Sequence, residues 1–318
     1  MAMSVIVRQA KTVCNQQHSR HMLKSIIVTG ATGVVGSAVV RCALEKGMNV
    51  LCIVHSGSKR LKNLPKNERL KVIEQDLCDY GSLRLDGQFD AFIHLAWEKT
   101  FGASRDDAVV QMRNIQYTLD AVHLAHRCGC KVFVGAGSQA EYGVQTVDLT
   151  PSLPVNPESG YGIAKYAAGK LSAMHSKNLG IRHNWVRILS VYGPNDGANT
   201  LISYLISEFK AGRSPELTRC EQIWDYLYAD DAGDAILAVV EKGKDGMVYP
   251  LGSGRGRKLS DYVEEVRSVV NPAVQIVYGA KEYYPHQPMH LVADISTLHA
   301  DTGWSPRYSF KQGLEQFI

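Results

Sequence analysis

The chain has 318 residues, a formal net charge of +4 and 45% hydrophobic residues, enough to bury a large core in one domain or two closely joined ones. The mild basicity comes without a Lys/Arg run, no stretch approaches a membrane span, and the first residues lack the apolar block of a secretory signal. These absences argue against nucleic-acid and membrane partners and lead us to expect a cytoplasmic protein. The seven cysteines are scattered, and Cys128 and Cys130 have no second pair or nearby histidines at zinc-site spacing, so reduced thiols and no metal are expected.

Residues 1–22 read as an N-terminal extension or tag, with His21 and Met22 as a cloning junction. From there strands and helices alternate: strand 25–29, helix 34–47, strands 49–54, 70–74 and 90–95, helix 106–128, strand 131–135, helix 160–178 and strand 183–189. This alternation predicts an α/β fold, a Rossmann doubly wound parallel sheet covered by helices on both faces. Beyond about residue 195 the pattern is mixed, with helices at 200–211, 230–241 and 259–269 and a short strand at 247–251. We expect residues 23–190 to form a dinucleotide-binding domain to which 224–250 returns. Residues 191–223 and 251–318 are expected to form a smaller mixed α/β substrate-binding region.

The first strand runs into "TGATGVVG", which puts Gly30, Gly33 and Gly36 in a strand-to-helix turn. A phosphate reaches the amides of a helix N-terminus only where no side chain stands in the way; a glycine-rich helix start without a ligand is the plainer reading. A dinucleotide fold usually has an acid at the end of its second strand to hold the ribose hydroxyls, and here His55 takes that place, followed by Ser56, Gly57, Ser58, Lys59 and Arg60. Hydroxyls and cations there suit a 2'-phosphate, so NADP is favoured and NAD is possible; a solvated loop is the alternative. Asp76, with Leu77 after it, ends the third strand as a hydrogen-bond acceptor for adenine or as a plain turn residue. The fourth strand ends in His94, Leu95, Ala96 and Trp97 at the same crevice, with His94 read as a packed strand residue.

In "SGYGIAKYAAGK", Tyr161 and Lys165 lie four residues apart on one helix face. An ammonium beside a phenol lowers its pKa from near 10 and makes it a usable proton shuttle. Ser138, just past the end of a strand, opens onto the same crevice and can hold a carbonyl or alcohol while Tyr161 moves its proton.

Taken together, these motifs resemble the extended short-chain dehydrogenase/reductases, specifically the NAD-dependent epimerase/dehydratase family acting on nucleotide sugars. The resemblance runs from residue 24 to 318 and also includes Asn114 in "RNIQYT", "VRILSVYGP", "WDYLYADDA", "YPLGSG" and "DTGWSP". It implies that Gly30, Thr32, Gly33, Val34, Val35 and Gly36 cradle the pyrophosphate, and that Leu95, Ala96, Trp97, Asn114 and Ile188 serve the cofactor side. It implies Tyr161 as acid/base, Lys165 on the nicotinamide ribose and Ser138 on the reacting oxygen. It also implies Trp97, Ser138, Gln139, Ser190, Thr200, Leu201, Arg219 and Trp224 on the substrate side, and a homodimer formed through two long helices per subunit.

The chain departs from the family in places. Dehydrating relatives carry Asp-Glu after the catalytic hydroxyl where this chain has Gln139 and Ala140, which argues against a 4,6-dehydratase. Trp224 stands before "DY" and Tyr284 lies near the second position where diphosphate-binding arginines are common, so Arg219, Lys281 and His286 become candidate replacements. We therefore expect hydride transfer at C4 of a nucleotide-linked hexose, as a 4-ketoreductase using NADPH or as a 4-epimerase with bound NAD. A non-catalytic NADP-binding sensor is the remaining reading.

Overall fold

The computed structural model describes residues 23–284 and 287–318; the N-terminal extension and His286 lie outside the described residues. The first half contains β1 (Ser25–Thr29), α1 (Val34–Glu45), β2 (Asn49–Val54), β3 (Leu70–Glu74), β4 (Ala91–His94), α2 (Ala108–Arg127), β5 (Val132–Ser138), α3 (Gly160–Asn178) and β6 (Arg182–Ile188). The second half begins with β7 (Ser190–Tyr192), α4 (Leu201–Lys210), β8 (Ile223–Trp224), β9 (Tyr226–Tyr228), α5 (Ala229–Lys242) and β10 (Val248–Leu251). It continues with β11 (Arg257–Lys258), α6 (Leu259–Val270), β12 (His290–Leu291), α7 (Ser296–Thr302) and α8 (Phe310–Glu315).

Seven parallel strands form the central sheet in the order β10-β6-β5-β4-β1-β2-β3. Its inner strands are apolar on both sides because helices cover both faces. Ile26 and Val28 of β1 join Val50, Cys52 and Val54 of β2 in a core with α1 and α5, whereas Ile27, Leu51 and Ile53 point the other way into a core with α2. This is the two-residue period of a strand expressed as two cores. The edge strand β3 is largely exposed and carries Lys71 and Glu74. A third core, around Tyr192, Leu205, Phe209, Tyr262 and Phe310, joins α4, α6 and α8.

Strand order reverses beside β1, which lies between β2 and β4, and such a switch point opens a crevice at the carboxyl ends of the strands. The strand expected at 131–135 continues to Ser138, because β5 stays paired with β6 through Ser138 opposite Ile188. Ser138 is therefore the last residue of β5 rather than one beyond it. The first helix stops at Glu45, two residues before the expected end, where Gly47 turns with φ of +75°.

Candidate active site

At the switch point the glycine turn is forced by contact as well as by φ. Gly30 has φ of +67°, and a Cβ there would stand 2.7 Å from the Ala96 nitrogen; one on Gly36 would stand 2.2 Å from the Gly30 oxygen. The turn and the β4 loop are held together by the Thr29 hydroxyl, which accepts from the Ala96 amide at 3.2 Å and bonds His94 Nδ1 at 2.9 Å. His94 is buried against Phe92 and Phe133, and burial pushes it down to about 3, so it is a neutral packing residue. Gly33 caps α1 without a side-chain bond, and no acid occupies the first turn. Gly33, Val34, Val35 and Gly36 line a cavity of about 460 Å3 with the positive end of the helix facing it. A dinucleotide pyrophosphate fits this cradle.

The loop after β2 is differently arranged from a simple cationic site. His55 Nδ1 lies 2.5 Å from Asp76 Oδ1, the Ser56 amide donates to the same oxygen at 2.9 Å, and the Gly57 amide donates to Glu74 at 2.7 Å. The Ser56 amide, followed by His55, holds the Asp76 carboxyl below the usual range. Lys59 and Arg60 are exposed and form no ion pair among the described residues. Thr32 is tied to this loop through its carbonyl, which accepts from Asn63 at 2.9 Å, and Leu77 packs into the α2-side core. Thr32, His55, Ser56, Ser58, Lys59, Asp76 and Leu77 thus lie outside the cavity lining, as does Ala96.

Ser138, Tyr161, Lys165, Trp97, Leu95 and Ile188 meet in the cavity. Ser159 caps α3 by accepting from the Gly162 amide, which sets Tyr161 in the first helical turn. Lys165 is 3% exposed; its Nζ donates to the Ala136 oxygen at 2.7 Å and sits 3.7 Å from the Trp97 ring centre. It stands 5.7 Å from the Tyr161 ring centre. Burial pushes Lys165 down to about 7, against the pull of Glu141, and burial raises Tyr161 while Ser138 and Arg105 oppose the rise. In this arrangement the Lys165 amine points to Ala136 and Trp97, and its part in tuning Tyr161 stays a proposal. The grouping offers a neutral phenol, a hydroxyl beside it and an amine able to titrate near neutrality, which is a proton-transfer set.

On the other side of the cavity, Trp224 Nε1 donates to the Ser190 hydroxyl at 2.8 Å, and Thr200 donates to Asp196 at 2.7 Å. Gln139 and Leu201 line the same space. Arg219 is exposed and Lys281 lies 5.9 Å from the Tyr204 ring centre, and neither reaches the cavity lining. Asn114 is buried and does not line it either; its side chain accepts from the Glu98 amide at 2.8 Å and donates to the Glu98 oxygen at 3.2 Å, so it shapes the loop after β4.

The sequence profile of the NAD dependent epimerase/dehydratase family matches residues 26–252. The chain belongs to this family. CDP-abequose synthase of Salmonella typhimurium is 25% identical over 300 residues, covering 92% of this chain and 97% of that protein. dTDP-glucose 4,6-dehydratase of Streptomyces griseus is 27% identical, covering 92% of each. In fold the chain is similar to UDP-glucuronic acid 4-epimerase of Bacillus cereus, solved with NAD, with a TM-score of 0.80 at 24% identity, covering 92% of this chain and 96% of that one. UDP-N-acetylglucosamine 4-epimerase of Methanobrevibacter ruminantium gives a TM-score of 0.82 at 23% identity, covering 92% and 97%.

Three residues of this epimerase/dehydratase chain escaped the sequence reading. Glu141 is fully buried; it accepts from the Ser138 amide at 2.9 Å, from Trp185 Nε1 at 2.9 Å and from Arg187 Nε at 2.7 Å. Gln111, 1% exposed, takes the Trp97 indole bond and donates to the Lys99 and Ser104 oxygens. Arg105 lies over the Tyr161 ring, 4.4 Å from its centre. An acid within the short segment after an apolar strand was the one available signal for Glu141; the others are known only from their partners.

Proposed function

We propose that this enzyme transfers hydride between a nicotinamide dinucleotide and C4 of a nucleotide-linked hexose. The observation that carries the reading is the convergence of Ser138, Tyr161 and Lys165 on the cavity that the glycine turn enters. Tyr161 gives or takes the hydroxyl proton, Ser138 orients the oxygen, Lys165 holds the nicotinamide ribose, and the α1 amides hold the pyrophosphate. The bound nicotinamide would accept or return the hydride.

Several features support a 4-epimerase with NAD. Glu74 and Asp76 bring two carboxylates to the Ser56 and Gly57 amides, where a 2'-phosphate would be repelled. Dehydration needs an acid and a base besides the tyrosine, whereas Gln139 and Ala140 do not titrate and Glu141 is locked to Arg187 and Trp185. Exposed Lys59 and Arg60 favour the second reading, a 4-ketoreductase using NADPH. We also propose a homodimer through α2 and α3.

The test is extraction of the dinucleotide from fresh protein, followed by incubation with UDP-, CDP- and dTDP-linked hexoses and their 4-keto forms. Interconversion of C4 epimers without net dinucleotide consumption is the expected result; stoichiometric NADPH oxidation would establish the reductase. No reaction with any of them would overturn both.

A further inference from the structure

We propose that Arg105 selects the substrate by holding an anionic oxygen, from a sugar carboxylate or from the diphosphate, at the face of Tyr161. This deepens the nucleotide-sugar reading and rests on it. Arg105 and Lys165 are the cations among the described cavity-lining residues, and the proposed place of Lys165 is on the nicotinamide ribose, which leaves Arg105 for the substrate. Arg105 makes one hydrogen bond, from Nη1 to the Thr100 oxygen at 3.2 Å, and no ion pair among the described residues. A guanidinium has five donors in a planar fork, so most of its capacity is left for a carboxylate or phosphate.

Its place is built rather than incidental. Gln111 ties the loop through Trp97, Lys99 and Ser104. Asp106 then accepts from the Gly160 amide at the start of α3 at 2.9 Å, and Asp107 caps α2. The residue between these anchors is thereby fixed beside Tyr161. The lining also carries Asp196, a carboxylate beside which an anion is disfavoured, whereas Arg105 attracts one.

The experiment measures, by calorimetry on NAD-loaded enzyme, binding of UDP-glucose and UDP-glucuronate, with CDP- and dTDP-glucose setting the base preference. Wild type, Arg105→Met and Arg105→Lys are compared after their melting temperatures and dinucleotide content are shown to match. Arg105→Met should weaken binding about tenfold or more, and lysine should restore only part of it because it lacks the planar fork. Loss confined to UDP-glucuronate identifies the sugar carboxylate as the bound group, and equal loss for both ligands identifies the diphosphate. Binding of both ligands within about twofold of wild type in Arg105→Met overturns the inference. Wild-type enzyme that binds none of the nucleotide sugars would overturn the substrate reading itself.

Discussion

Lys165 is a buried cation whose environment works against its charge, and this has a measurable consequence for stability. Its pKa falls from 10.5 to about 7. Between those values the unfolded chain holds a proton that the folded chain sheds, so stability rises with pH across that window. The destabilisation is fully present below pH 7 and fades toward pH 10.5. Lys165→Met should therefore be more stable to unfolding than wild type at pH 6.5, by on the order of a few kcal/mol, and the gain should shrink by pH 10, as read by urea unfolding. A gain of constant size across that range would show that the folded chain keeps the same proton as the unfolded one, so that the lysine stays charged and its pKa is not lowered. Tyr161→Phe removes the proton carrier without emptying the cavity. It should lower turnover by about 10²–10⁴-fold while the dinucleotide content of the protein is unchanged, and full turnover would remove Tyr161 from the chemistry. Tyr161 and Lys165 were legible because a four-residue spacing on a helix places two side chains together whatever the fold. Arg105 was not, since its position depends on anchors to two different helices.

Sequence period carried the central sheet and its helices, because apolar runs and helical spacing are local properties. It did not reveal β7 to β9, which are two or three residues long and exist only through pairing such as Ser190 with Tyr226. Nor did it show that the end of β5 is braced by β6. Glu141, just beyond β5, meets Arg187 from a strand 46 residues later, and the pair lies beneath Ser138. Breaking such a pair strands a buried charge, at a cost of about 3–5 kcal/mol, whereas removing both partners together costs much less. Arg187→Met should destabilise by that amount, and Glu141→Gln with Arg187→Met should recover most of the loss, as read by urea unfolding. If the double variant is as unstable as the sum of its singles, the two residues act independently and the brace is something other than their charge.

The helices α2 and α3 lie side by side on the surface and leave apolar side chains uncovered: Val109 at 56%, Met112 at 63%, Ile163 at 54% and Met174 at 66% exposure. A two-fold axis would pair the same two helices from a second copy, and a stable interface of this kind buries about 1,600 Å2 in total. On that basis the 35.0 kDa chain should sediment as a dimer at micromolar concentration, and Met112→Glu with Met174→Glu should give monomer. Monomer in the wild type would dispose of the proposed interface. The same two helices are joined by a histidine pair. His123 and His175 bond each other through their Nε2 atoms at 2.9 Å, which requires one ring nitrogen to accept and so be unprotonated. Burial, then the neighbouring His123 and His126, lowers the pKa of His175. A base held below its unfolded value loses its stabilising contact as pH falls through the ordinary histidine range. Folding stability should therefore drop between pH 7.5 and 5.5, and His175→Gln should flatten that dependence, as read by urea unfolding. A stability that falls just as steeply in His175→Gln would place the titrating group elsewhere.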